Sequence, residues 1–321
     1  MDRPLITRAP GFGPFHTVML PGLVPDGPET FLRQAGLLRR HGSTAIITYP
    51  YQSFDLDAVL TAARDEVVRA YENGRMPVLM GVSVGGGLVL ELLRRCRDAG
   101  APLPLAGLVL VSPLGSPADL SPLLRRLFDG IVNESGRGEG GDAEAALERG
   151  RAFFKTLASR SAPAKPIIGG LRSLFALLTP SGIEELRERR IRARIEQTLA
   201  SIPAHGAIAR VQALQSLAGP GKGVLTEAPT LLLWGSKERH TLDMDGPGSR
   251  VLCRPDLATR LFPTCEVHWM YGRGGEEVPH ASLLKHAAVF NRPLAAWFAQ
   301  VRAARTGKRA VFGMRRFTAS F

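Results

Sequence analysis

Short apolar runs and amphipathic stretches take turns along the first third of the chain. Residues 17–20 (TVML) read as a buried strand, and after the loop PGLVPDGP an amphipathic helix is expected over about 29–40. The β-branched run 43–49 (STAIITY) predicts the next strand. A helix over 55–71 follows, because Leu56, Val59, Leu60, Ala63 and Val67 recur at three- and four-residue intervals. Residues 77–81 (PVLMG) form another strand that runs into the glycine-rich VSVGGG. VGGGLVLELLRRC (84–96) then reads as a helix stopped by Gly100. LAGLVLVSP (105–113) is a further buried strand.

The alternation lapses over 114–227, where the pattern is mostly helical and includes ESGRGEGGD (134–142) and the apolar IIGGLRSLFALL (167–178). It resumes with APTLLLWG (228–235), CEVHWMY (265–271) and a last helix over 281–298. Alternating strands and helices with near-continuous apolar strands imply an α/β fold, a mostly parallel sheet covered by helices on both faces. The expected organisation is a core over 1–114 and 229–300, a helical cap inserted at 115–228 and a basic C-terminal tail at 301–321. Ligands of such sheets sit beyond the carboxyl ends of the strands, so the residues after each strand are the ones to weigh.

Composition narrows this picture. The 321 residues are 45% hydrophobic, as a globular chain requires. The formal charge of +12 invites a nucleic-acid or membrane-surface reading. The charge is concentrated in the tail and in LRERRIRARI (186–195), neither of which has the interleaved aromatics that stack bases, so no nucleic-acid partner is expected. No stretch is long and apolar enough for a transmembrane span; peripheral contact with a membrane is compatible with the basic tail. Cys96, Cys253 and Cys265 are too few and too far apart for a disulfide framework. With no secretory signal at the N-terminus, a cytoplasmic location is expected. The sequence carries no signal of oligomeric state.

The chemistry centres on Ser83. Leu88 rather than lysine follows Gly87, so the phosphate-loop pattern fails, and Ser83 and Leu90 occupy glycine positions of the dinucleotide fingerprint. What fits is G-x-S-x-G at Gly81, Ser83 and Gly85, between a strand and a helix, a turn so sharp that its flanks must lack side chains. The competing reading is a glycine-rich turn whose serine caps the helix. A nucleophilic serine requires a base, and His280 stands in a loop between the last strand and the last helix. His268 lies inside a strand, His286 falls inside the expected final helix, and His16, His41 and His205 read as structural or solvated. The acid belongs between serine and histidine in the chain. Glu238 is three residues past Gly235, with Asp243 as the alternative and Asp119 a further one. The backbone amides of Val84 and of Leu23, or of Val24, are the expected oxyanion donors.

Together these residues resemble the α/β-hydrolase superfamily. Its loop after an early strand, nucleophile elbow, late-strand acid and histidine before the last helix correspond here to PG, GVSVGG, PTLLLWGSKE and VPHASLL. The resemblance implies Ser83 as nucleophile, Glu238 as acid, His280 as base and the Leu23 and Val84 amides as oxyanion donors. It departs from the family pattern at Pro21, where histidine is usual, and at Glu238, where aspartate is commoner. The N-terminus looks too short for the family's extra pair of antiparallel strands. The implied activity is that of a serine hydrolase acting on a small ester or thioester substrate, with no metal or organic cofactor. A non-catalytic ligand-binding protein or an acyltransferase on the same residues stays open.

Overall fold

A computed structural model describes residues 3–135, 145, 148–152 and 180–311. Among these residues seven strands form one sheet: β1 (Leu5–Ala9), β2 (Phe15–Leu20), β3 (Gly42–Thr48), β4 (Met76–Val82), β5 (Gly107–Val111), β6 (Thr230–Gly235) and β7 (Cys265–Met270). Their order is β1-β3-β2-β4-β5-β6-β7, and only the β1–β3 pairing is antiparallel. The helices are α1 (Ala35–His41), α2 (Leu56–Glu72), α3 (Val84–Asp98), α4 (Pro122–Ser135), α5 (Pro180–Ser201), α6 (Ala204–Gln215), α7 (Pro247–Leu252), α8 (Pro255–Ala258) and α9 (Ala287–Val311). None of the described helices is long and apolar enough to cross a membrane.

The continuous apolar strands bury both faces, and the two-residue period divides them. Leu79, Leu108, Leu110 and Leu232 join one cluster with Val59, Val67, Leu88 and Leu92 of α2 and α3. Their neighbours Val78, Met80, Val109, Leu231 and Leu233 join the other, with Leu38 of α1 and Phe290, Leu294 and Phe298 of α9. Leu124 and Phe128 of α4 and Val211 and Leu214 of α6 belong to the first cluster.

Three features depart from the sequence reading, and a short edge strand is added to it. The helix expected over 29–40 is a 3-10 turn (Pro28–Phe31) followed by α1. In place of the family's pair of antiparallel strands, which the short N-terminus is not expected to supply, a single one is present: the alternating LITRA of β1 pairs with β3 as an exposed edge. The last helix starts at Ala287, because residues 281–286 form turns, and His286 lies in them. That helix continues through Val301 to Val311, so the first half of the segment read as a tail is helical, and residues 312–321 lie outside the described residues. So do residues 136–142 of ESGRGEGGD and all of IIGGLRSLFALL.

Candidate active site

β4 ends at Val82 and α3 begins at Val84, which leaves Ser83 alone to reverse the chain. Its backbone stands at φ 52°, ψ −116°, a conformation costly for any residue with a side chain. The corner is held from several sides. Ser83 N donates to Val111 O at 2.9 Å, and Ser83 O accepts from Gly86 N and Leu114 N, both at 2.9 Å. The glycines are needed for space rather than for dihedral freedom. A Cβ on Gly85 would stand 2.1 Å from Leu20 O, and one on Gly81 2.6 Å from Gly85 O.

His280 comes to this corner from the far side of the sequence. Lys237 N donates to Val278 O at 2.9 Å and Val278 N to Ser236 Oγ at 2.8 Å, tying the loop after β6 to the loop carrying the histidine. Gly235 permits the approach, since a Cβ there would meet Val278 O and Pro279 O at 2.6 Å. His280 Nε2 lies 2.8 Å from Ser83 Oγ, and His280 Nδ1 is hydrogen-bonded to Glu238 Oε2. The other carboxylate oxygen accepts from Gly235 N at 2.7 Å and from Ser112 Oγ at 2.5 Å. Glu238 is 1% exposed. A buried carboxylate satisfied by three donors is fixed in place, and it fixes the ring it bonds.

Ser112 was missed by the sequence reading. It is fully buried, follows β5 directly, and accepts from Ala281 N at 3.1 Å while it donates to Glu238. The available signal was its place immediately past a strand end. Ser83, Ser112 and Ala281 are the non-glycine residues with positive φ among those described, and all three stand in this cluster.

The remaining candidates lie elsewhere. Asp243 accepts from Asp245 N in an exposed turn of its own. Asp119 is buried as a cap, accepting from Ser116 N at 2.7 Å and Gly248 N at 2.9 Å. His268 bonds Glu266, His16 bonds Glu66 and Ser43, His205 bonds Gln52, and His41 stacks on Phe298. Among the described residues no group of three or more His, Cys, Asp or Glu is arranged to hold a metal ion.

The loop after β2 completes the site. A Cβ on Gly22 would stand 3.7 Å from Ser83 Cβ, so this loop lies against the serine. Among the described residues neither Leu23 N nor Val84 N is hydrogen-bonded within the protein. The loop is anchored from below by Tyr49, whose hydroxyl donates to Pro21 O at 2.8 Å, and by Thr30 on Pro25 O at 2.8 Å. From α6, Arg210 donates to Asp26 at 2.6 Å and to Pro50 O at 3.0 Å. Arg210 is 2% exposed and Asp26 0%, and burial pushes the Asp26 carboxyl above its ordinary range despite the guanidinium beside it. Ile195 and Leu199 of α5 pack with Val24 of this loop and with Leu284, four residues past His280.

The ion pair predicts a stability effect. Arg210→Met strands a buried carboxylate and lowers the unfolding free energy by about 3–5 kcal/mol, whereas Arg210→Met with Asp26→Leu recovers most of it. Urea denaturation of the two variants checks this; equal stabilities would mean that the unpaired charge is not what destabilises.

No family model matches the sequence, and no curated protein does. Solved structures resemble the fold over nearly its whole length. A thermophilic esterase from Thermogutta terrifontis shares 14% identity at a TM-score of 0.60, covering 92% of this chain and 93% of that one. An esterase from Exiguobacterium antarcticum shares 15% identity at 0.57, covering 92% and 96%. A bacterial membrane phospholipase A described as a virulence factor shares 21% at 0.56, covering 92% and 83%. The chain has the α/β-hydrolase fold.

Proposed function

We propose that this α/β-hydrolase-fold chain is a serine hydrolase that cleaves small carboxylic esters or thioesters through an acyl-enzyme. The observation that carries the reading is the hydrogen-bonded row from Glu238 through His280 to Ser83. The neighbouring folds that are esterases support the same choice of bond.

His280 Nε2 takes the Ser83 proton as Oγ attacks the carbonyl carbon, and the carbonyl electrons move onto its oxygen. The Leu23 and Val84 amides receive that oxyanion. Neither has a partner among the described residues to give up, so little reorganisation accompanies the step. Glu238 holds Nδ1 protonated and stabilises the imidazolium. His280 then protonates the departing alcohol or thiol, leaving the acyl group on Ser83. Water, deprotonated by the same nitrogen, attacks the acyl carbon, and collapse returns the proton to Oγ.

We read residues 1–114 and 229–300 as the catalytic core and 115–228 as a cap whose α5 roofs the site. Ile195 and Leu199, lying between the oxyanion loop and the residues after His280, favour an apolar acyl group. The three free, separated cysteines favour a cytoplasmic location.

Covalent labelling by a fluorophosphonate probe tests the reading. Wild type is labelled, and Ser83→Ala and His280→Ala are not; a folded wild type that takes no label overturns it. Ser112 is a positioning residue in this scheme. Ser112→Ala removes the donor to Glu238 and the acceptor for Ala281 N, and lowers kcat about 10-fold with KM unchanged. An equal fall in kcat/KM arising from KM alone would place Ser112 outside the chemistry.

A further inference from the structure

At the end of the sheet opposite Ser83, a cavity of about 270 Å³ opens beside the starts of β2 and β3 and the end of β1. Arg8, Arg69, Arg75, His16, Ser43 and Asn73 line it, with no carboxylate among the lining residues. The acid bonded to these lining residues is Glu66, whose side chain is 1% exposed. It accepts from Arg8 Nη2 at 2.7 Å and Arg69 Nε at 3.1 Å, and His16 Nε2 lies 3.0 Å from it. Burial alone would raise the Glu66 carboxyl, but the hydrogen bonds from His16, Arg8 and Arg69 outweigh it and hold the group well below the usual carboxylate range.

Glu66 is therefore a buttress, its acceptor capacity taken up by Arg8, Arg69 and His16, three of the residues that line the cavity. Two guanidiniums, those of Arg8 and Arg69, meet this one carboxylate, and the third, Arg75, lines the same cavity without touching it. Arg75 donates from Nη1 to Gly13 O at 3.2 Å, and its Nε and Nη2 have no hydrogen-bond partner among the described residues. Arg8 Nη1 and Arg69 Nη1 are likewise without one among those residues. Converging guanidinium edges with unused donors suit the tetrahedral, multiply charged oxygens of a phosphate better than a single carboxylate. A polyanion laid along a flat face would instead require charges spread over a surface; here they surround a small concavity.

We propose that this cavity is a second, non-catalytic binding site for a small phosphorylated molecule, gripped by Arg8, Arg69 and Arg75. It uses none of the groups around Ser83, so it stands independently of the catalytic reading.

Isothermal titration of the full chain with pyrophosphate, inorganic phosphate and AMP at low salt tests it, the three probes separating a free phosphate ligand from a phosphorylated organic one. Wild type binds at least one of them saturably at one site. Arg75→Glu, which touches only a backbone carbonyl, weakens that binding by about 10-fold or more without lowering the melting temperature. Arg254→Glu makes the same charge change at a remote exposed pair with Asp256 and alters binding by less than about 2-fold. Absence of saturable binding overturns the proposal. So does an equal loss in both variants, which would reduce the effect to net charge. Arg75-dependent binding of anionic vesicles or an oligonucleotide that pyrophosphate does not displace overturns the small-molecule assignment.

Discussion

Alanine at Ser83 or at His280 lowers ester turnover by about 10⁴–10⁶-fold, and the double variant falls no further than either single one. The two side chains share one proton across 2.8 Å, so removing either member removes the attack as a unit. The activity that survives measures what the Leu23 and Val84 amides contribute to a water attacking unaided. Hydrolysis of a short-chain aryl ester by the three variants reads this directly. A Ser83→Ala protein within about 10-fold of wild type would remove the acyl-enzyme from the reading.

Glu238→Gln is the second large effect, a loss of about 10³–10⁴-fold in kcat. Gln is nearly isosteric, and one of its terminal atoms still meets Gly235 N and Ser112 Oγ, so the carbonyl oxygen takes that place. The amide NH₂ is then turned toward His280 Nδ1 and donates to it. That forces the proton onto Nε2, where the ring can no longer accept from Ser83. The defect lies in the tautomer rather than the fold, so the melting temperature changes little. Asp243→Asn, in its own exposed turn, leaves kcat within about 2-fold. If Asp243→Asn is instead the damaging change, Glu238 is not the acid.

Much of this arrangement is legible in the residues. The strands between β2 and β7 carry apolar runs too dense for one buried face, which marks them as interior and parallel. The rule that ligands sit past strand ends then brings Ser83, Glu238 and His280 to one edge. What the sequence conceals has a common cause. Ser112 looks like any serine in VLVSP, and its role depends on the loop carrying Ala281 passing within 3.1 Å. Asp26 and Arg210 are 184 positions apart, and only the packing of α6 beneath the loop after β2 makes them a pair. The LITRA strand is short and its pattern mostly exposed, so nothing but its partner β3 identifies it. Periodicity reports an element's faces, whereas long-range polar contacts are known only when the elements have been assembled.

Among the described residues, the three non-glycine positions held at positive φ set stability against speed. Each distorted peptide withholds about 1–3 kcal/mol that a relaxed turn would return, and all three adjoin the groups that hold Glu238 and His280 in line. A search for heat-tolerant variants is therefore drawn to positions 83 and 281, where glycine relieves the backbone without removing a donor to the buried Glu238, as it would at Ser112. The hardier proteins it finds there are slower ones, and useful thermostabilisation has to be sought away from this corner.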